Sequence, residues 1–577
     1  MRNVDLIIKG IGVSPGISIG KARVIKKHEA VRTGILLNDN ESILFEIEKY
    51  DRAVRISVDE IEMIKANAGS SLQDESVEIL ETHIELISDP QIREDVVEKI
   101  KNEKKNANDA LIEVISASVQ IFQNMDDEYM SARSADVQDI GNRMLKHLSN
   151  SFITYEKIFE EDIIIVAEDI SPSDALTLDI KRITGIATGM GGKTSHASII
   201  ARSRGIPAVA GCGDELMAVE NDDIIIVDGL GGIVIVNPAN DVIDAYKIKR
   251  EEYQQHAVFL RSLKNISANT TDRTTIKLLA NISGEEDLEE SFEYGAEGVG
   301  LFRTELLFMN RTSMPDEEEQ FEFYKKAALK SGDKPLTVRT IDIGGDKQLP
   351  YLGLTVEQNP FLGYRAIRIC LDRKDIFITQ LKAILRASVF GNIQIMFPMI
   401  CGVQEIRKAK EILAEAKKEL LEKNISFNKD IRTGIMIEIP SAAVTADILA
   451  KEVDFFSIGT NDLCQYTLAV DRMNEKIKDL YDPFNPGVLR LINNVIEQAR
   501  QNNIDVAMCG EMASDPLATL LLAGMGLRAF SMSASSIPFT KNIILNNSIS
   551  KAKEIYKKVM AMDNSKDIIS YLQGVHQ

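Results

Sequence analysis

The sequence predicts a multidomain α/β protein: an α/β domain interrupted by a helical insert, followed by a (β/α)8 TIM barrel. Three observations predict it. Strand-like apolar runs alternate with helical patterns through the second half of the chain. A separate group of short β-branched runs lies between residues 163 and 236. A long charged stretch almost free of Gly and Pro divides that group from a strand-and-turn segment at the amino terminus. Length agrees, since 577 residues at about 150 per domain is a prior of roughly four units, fewer if one is a barrel.

Residues 3–24 are short apolar runs punctuated by Gly10, Gly12, Pro15, Gly16 and Gly20, the pattern of strands and turns. From 40 to 140 only Gly69 and Pro90 interrupt a helix-favouring composition. Ile47, Tyr50, Val54, Val58 and Ile61 recur at three- and four-residue steps, so one helical face is buried. Asp89-Pro90 fits a boundary between helices, and Leu111, Val114 and Ile115 continue the period in another. The runs at 163–166, 183–187, 206–210, 224–227 and 233–236 are β-branched and bounded by Gly, Pro or Asp, with a helical stretch at 195–204 among them. The segments on either side of the insert are expected to form one α/β domain, and 238–264 reads as a polar connecting helix.

Beyond it, strand-like runs fall at 276–282, 298–302, 336–343, 393–399, 434–439, 455–458, 506–509 and 530–535. Helical patterns such as 405–421 and 488–501 fill most of the gaps. About eight β/α units over roughly 260 residues favour a closed barrel over a doubly wound sheet.

Composition excludes several classes. Lys+Arg 67 against Asp+Glu 87 leaves a net charge of −20, which argues against an electrostatic grip on nucleic acid or anionic lipid. No run of ~18 apolar residues exists, so membrane insertion is not expected. The first nine residues carry Asp5 and Lys9 around too short an apolar core for a signal peptide. Cys212, Cys370, Cys401, Cys464 and Cys509 are scattered, with no CxxC pair, which speaks against a disulfide framework or structural zinc. A cytoplasmic protein is expected.

Active sites of barrels of this kind lie at the carboxyl ends of the strands, and there the apolar runs give way to polar groups. Arg303 follows one run, Arg339 and Asp342 punctuate the next, Glu438 closes another, Asn461 and Asp462 follow 455–458, and Cys509 ends 506–509. Singly, an Arg or Glu at a strand end is ordinarily a solvated surface group, and a lone Cys a small buried hydrophobe. Convergence on one rim changes that reading. Arginine forks suit phosphate and carboxylate, and two carboxylates on neighbouring strands suit Mg²⁺. The set describes a pocket for a small phosphorylated carboxylic acid with a divalent ion.

A second constellation runs from Thr188 to Arg202. Gly192-Lys193-Thr194 resembles the end of a P-loop, but Ala187 stands where the required earlier glycine should be. What remains is a glycine-rich turn feeding a helix whose first turn carries His196. Neutral imidazole is nucleophilic near pH 7, and a helix amino terminus favours an attached phosphoryl group. His28, His83, His147, His256 and His576 have no such setting and read as structural or surface groups.

These residues resemble Enzyme I of the bacterial sugar phosphotransferase system, the phosphoenolpyruvate–protein phosphotransferases, essentially from end to end. The motifs that carry the resemblance run from Gly191 to Arg202, Gly300 to Glu305, Arg339 to Lys347, Asp454 to Leu463 and Met508 to Met512. The resemblance implies a phosphohistidine α/β swivelling domain at 1–24 and 147–237 and a helical phosphocarrier-binding subdomain at 25–146. It further implies a linker helix at 238–265 and a phosphoenolpyruvate-binding, dimerising TIM barrel at 266–577. His196 would take the phosphoryl group from phosphoenolpyruvate and pass it to the histidine-containing phosphocarrier protein. Arg303, Arg339, Asn461 and Arg472 would bind substrate, Glu438 and Asp462 would bind Mg²⁺, and Cys509 would protonate the enolpyruvate carbon to release pyruvate. A homodimer through the barrel follows from the same resemblance. Because His196 must meet both barrel and carrier, a swing about 238–264 is expected.

Rival readings differ in what they require. A pyruvate phosphate dikinase or phosphoenolpyruvate synthase needs a large ATP-binding domain, whereas about 120 residues of charged helix with no phosphate-cradling loop are present. A nitrogen-type paralogue would carry a sensory domain ahead of the first strand-and-turn segment. A non-catalytic scaffold would be expected to lack His196, Cys509 or a Mg²⁺ carboxylate, and all are present.

Overall fold

The computed structural model describes residues 6–25, 32–68, 83–123, 128–148, 162–170, 182–192, 195, 197–198, 201–202, 205–309, 311, 313–344, 349–353, 357–472, 474 and 476–576. Two compact units divide the chain, Met1–Gln255 and His256–Gln577.

The first unit is built on a mixed eight-stranded sheet in the order β1-β8-β7-β3-β4-β5-β6-β2. Its strands are β1 (Leu6–Lys9), β2 (Ile11–Ser14), β3 (Ile17–Ile25), β4 (Ile163–Ala167), β5 (Ile183–Thr188), β6 (Ala208–Ala210), β7 (Ile224–Asp228) and β8 (Ile233–Val236). β3 pairs parallel to β4 and antiparallel to β7, so strands from both sides of the helical insert share one sheet. β4 is buried at every residue. Ile163, Ile165 and Ala167 pack into one apolar cluster and Ile164 and Val166 into another, which is why the strand is continuously apolar rather than alternating.

Between β3 and β4 the described residues form the helices α1 (Asn40–Ala68), α2 (Pro90–Asn102), α3 (Ala107–Gln123) and α4 (Glu128–Leu148). Tyr50, Ile61, Val96, Ile100, Leu111 and Ile140 form their common core, with Ile47, Val54 and Val58 packed beside it, as the periodicity predicts. Asp89 caps α2 by accepting from the Gln91 amide, and Pro90 sits at the first helical position, where a missing N–H does no harm.

After β8 comes α5 (Asn240–Ser262). Val242 and Tyr246 near its start pack against Ile17, Ile226 and Ile235. Lys249 Nζ reaches the buried Asp228 carboxylate at 2.7 Å, and Asp228 also accepts from the amides of Leu230 and Gly231.

The second unit is a closed barrel of eight parallel strands, β9 (Lys277–Ile282), β10 (Val299–Phe302), β11 (Leu336–Arg339), β12 (Ile393–Phe397), β13 (Thr433–Ile437), β14 (Phe455–Ile458), β15 (Asp505–Met508) and β16 (Ala529–Met532). All eight sequence-predicted runs become strands. β16 pairs with β9 from Ala529↔Lys277 to Met532↔Ala280, which closes the ring. Phe302, Phe397, Phe456 and Phe530 belong to one continuous apolar core that reaches the surrounding helices. Among the described residues no helix is long and apolar enough to cross a membrane.

Candidate functional site

The carboxyl ends of the barrel strands carry interlocked charge. Arg339, the last residue of β11, is buried and ion-paired with Glu305, which follows β10, and with Asp342 at 2.9 Å. Arg365 is also buried; it reaches Asp342 at 3.0 Å, Asp462 at 3.7 Å and the Tyr466 hydroxyl at 3.2 Å. Arg472 joins from the loop after the helix Thr460–Leu468, with Asp462 at 3.4 Å. Arginines and carboxylates from three different strand ends therefore form one network. Burial works against the charge on Arg339, but Glu305 and Asp342 outweigh it and hold the guanidinium protonated.

The network leaves hydrogen-bonding capacity unused. Arg339 Nε, Arg365 Nε and Thr460 Oγ1 are buried without a partner among the described residues. Such atoms are rare in folded proteins and point toward a ligand. Arg303, by contrast, is exposed just past β10, and its guanidinium forms no ion pair among the described residues.

Glu438, immediately after β13, is buried at 2% exposure. Oε1 accepts from the Met399 amide at 2.6 Å. Burial, then the charges of Asp462 and Asp342, push its carboxyl well above the usual range. A cation beside it would reverse that effect. The other oxygen, Oε2, faces Gly459, where a Cβ would come within 3.1 Å of it, so glycine there leaves the carboxylate its space. Two carboxylates, Glu438 and Asp462, are the all-oxygen donor type that fits a hard divalent ion.

Three positions on the same rim have a strained backbone. Ala366 (φ 49°), Met399 (φ 56°) and Ala469 (φ 53°) are non-glycine residues in the left-handed region. They adjoin Arg365, the Glu438 amide contact and the Arg472 loop respectively, so strain is spent where side chains must be aimed.

Cys509 immediately follows β15 and is buried against Leu301, Met396, Met436 and Phe455. Burial raises its thiol above the ordinary value, opposed by the Ser457 hydrogen bond and Arg339. It is therefore a protonated thiol at neutral pH. Asn461 spends its side chain on Glu511: it accepts from the Glu511 amide at 2.9 Å and donates to Oε1 at 3.2 Å.

In the first unit, β5 ends at Thr188 and feeds the predicted glycine-rich turn. Gly191 has φ +93°, a conformation that favours glycine. The Gly192 carbonyl accepts from Ser195 Oγ at 3.0 Å and Ser198 Oγ at 2.7 Å, while Ala197 and Ala201 bury against the sheet. His196 itself, with Lys193 and Thr194, lies outside the described residues.

Seven of the eight sequence-predicted site residues thus fall at the carboxyl rim of the barrel. Glu305 and Arg365 were not singled out. Glu305 sits inside the Gly300-to-Glu305 motif, two residues past Arg303. Arg365 comes from a loop between β11 and β12, where no apolar run marks a strand end.

Three family models of phosphoenolpyruvate-utilising enzymes match the chain: the N-terminal domain over residues 9–133, the mobile domain over 159–232 and the PEP-binding domain over 259–549. A phosphoenolpyruvate-protein phosphotransferase of Priestia megaterium is 44% identical over 567 residues, covering 98% of each chain. Its counterpart in Geobacillus stearothermophilus is 44% identical over 566 residues, covering 98% of this chain and 97% of that one. That of Bacillus subtilis (strain 168) is 44% identical over 566 residues, with 98% and 99% covered.

Proposed function

The chain belongs to the phosphoenolpyruvate–protein phosphotransferases, and from that premise we propose how its residues divide the work. The enzyme moves the phosphoryl group of phosphoenolpyruvate onto protein in the phosphotransferase system that drives sugar uptake. In our reading, His196 is the residue that accepts it, and the histidine-containing phosphocarrier protein is the acceptor that follows.

Arg303 and Arg339 hold the substrate phosphate, with Arg472 and Asn461 completing the pocket. The observation that supports this most is the pair of buried, unpartnered Nε groups on Arg339 and Arg365 within a network of fixed charges. Phosphoryl transfer needs mainly positioning and charge neutralisation, which preorganised guanidinium groups supply without reorganising. Glu438 and Asp462 would hold a divalent ion, which we assign as Mg²⁺; when bound, it neutralises charge on the phosphate and enolate oxygens. Burial keeps the Cys509 thiol loaded with its proton. It delivers that proton to the enolpyruvate carbon, and ketone formation makes the transfer favourable.

We assign a dimer to the barrel and a cytoplasmic location. The α/β segment with His196 swings between barrel and carrier, with 238–264 as the hinge. The helical insert between β3 and β4 is the carrier's docking surface.

Labelled phosphoenolpyruvate with Mg²⁺, supplied with and without ATP, tests this reading. Acid-labile, base-stable label mapped to His196 without nucleotide is expected. Label that requires ATP would support the dikinase reading instead, and label on another residue would overturn the assignment of His196.

A further inference from the structure

Cys509 is pinned along its whole length. Its amide donates to the Ile458 carbonyl at 3.0 Å, and its own carbonyl accepts from Asn281 Nδ2 at 3.0 Å. Asn281 is held in turn by Ser531 Oγ, which donates to Oδ1 at 2.7 Å. The sulfur lies among Leu301, Met396, Met436 and Phe455, none of which offers a donor.

Within that surround Ser457 makes the direct hydrogen bond, while Arg339, Glu438 and Arg303 act on the sulfur through their charges. Ser457 Oγ donates to Cys509 Sγ at 3.2 Å and is the side-chain donor to that sulfur among the described residues. The thiol's own proton faces the Ile458 carbonyl at 3.7 Å, so no side chain competes for it. Ser457 is buried at 1% exposure on β14, two residues after Phe455. Strand alternation therefore sends both side chains into the barrel interior. A hydroxyl buried there demands a partner, and the sulfur is its partner.

The geometry matters for proton delivery. A cysteine has a single side-chain torsion, and an apolar pocket alone would select weakly among its staggered positions. Once the proton has left, the charge of Arg339 favours the thiolate, and the Ser457 hydroxyl supplies it a direct hydrogen bond.

We propose that Ser457 is a positioning residue that aims the Cys509 thiol at one face of the enolpyruvate carbon and donates to the thiolate that remains. In that step the S–H bond breaks and a C–H bond forms at C3 of the enolate. The S–H electron pair stays on sulfur, the enolate oxygen becomes the ketone oxygen of pyruvate, and water later returns a proton to sulfur. This inference rests on the reading of Cys509 as the proton donor.

The test scores facial selectivity. Full-length wild-type, Ser457→Ala, Ser457→Thr and Cys509→Ala proteins receive phosphoenolpyruvate stereospecifically deuterated at C3, with Mg²⁺ and phosphocarrier protein in tritiated water. The chirality of the pyruvate methyl group and the steady-state constants are then measured. Wild type is expected to protonate one face, and Cys509→Ala to show no preference, because free enolpyruvate ketonises from both faces in solvent. Ser457→Ala should lose selectivity, with kcat lower by about 10- to 100-fold and KM changed less than about twofold. Ser457→Thr, which keeps the hydroxyl, should restore both. Wild-type selectivity and kcat in Ser457→Ala, with selectivity lost in Cys509→Ala, would overturn the role of Ser457 and leave that of Cys509 intact. Equal loss in the Ala and Thr variants would also overturn it, because space rather than the hydroxyl would then matter. A stereospecific Cys509→Ala would remove the proton-donor reading and this inference with it. Should Ser457→Ala not bind phosphoenolpyruvate, Ser457→Gly removes the same hydroxyl and is scored in the same way.

Discussion

The two ends of the barrel handle buried charge in opposite ways. At the end where strands begin, Lys541 is 1% exposed, yet its ammonium donates to the carbonyls of Leu263, Lys264 and Gly295 at 3.3, 3.0 and 3.4 Å. Those carbonyls lie on the segments leading into β9 and β10, so the lysine fastens two strand entries. At the end where strands finish, Arg339 and Arg365 are also buried but retain Nε groups without partners among the described residues. One charge has no unmet demand and the other set does. Unused hydrogen-bonding capacity on buried charged groups therefore marks the binding end, and satisfied charge marks the structural end.

Substitutions can break this contrast. Arg339→Lys keeps the charge but removes the planar fork that spans Glu305 and Asp342. It should lower kcat/KM for phosphoenolpyruvate by about 10³-fold, the scale of losing a preorganised donor to transferring phosphate. Steady-state assays check this; a loss under tenfold would mean that the network is structural.

Lys541→Met should do the reverse. Three carbonyls lose a donor, which costs about 1–3 kcal/mol of barrel stability, read from the urea midpoint. Phosphoenolpyruvate kinetics should stay within about twofold of wild type. Impaired kinetics with unchanged stability would erase the distinction between the two ends.

The smallest effect is expected at Arg432, just before β13, which pairs with Asp505 at 2.7 Å on the exposed strand-entry side. Arg432→Ala should cost under about 1 kcal/mol, because solvent screens such pairs. The same denaturation series measures it, and a larger loss would show that the entry side depends on surface charge.

Legibility in the sequence followed local chemistry. The barrel strands were visible because about eight short apolar runs alternate with helical patterns over the length a barrel needs. The 336–343 run overshoots because only Leu336–Arg339 keeps the ladder; the chain then turns over the rim and carries Asp342 to Arg339. The 206–210 run shortens to Ala208–Ala210 because the Ile206 amide is committed to the Ala201 carbonyl. Arg339, Glu438 and Asp462 could be found by asking what stands at each strand end. Arg365 could not, since its contact with Asp342 depends on a loop and a left-handed Ala366 that no periodicity encodes. Ser457 was hidden differently. A hydroxyl within Phe-Phe-Ser-Ile reads as strand filler until the fold places Cys509 Sγ opposite it.

The central claim is that one imidazole carries phosphate from the barrel rim to another polypeptide. A full-length His196→Ala protein tests it most directly, assayed for relay of labelled phosphate from phosphoenolpyruvate to the phosphocarrier protein and, in parallel, for phosphoenolpyruvate binding at equilibrium. The account predicts no relay above background, with binding within about twofold of wild type because the rim is untouched. Relay at the wild-type rate would contradict it.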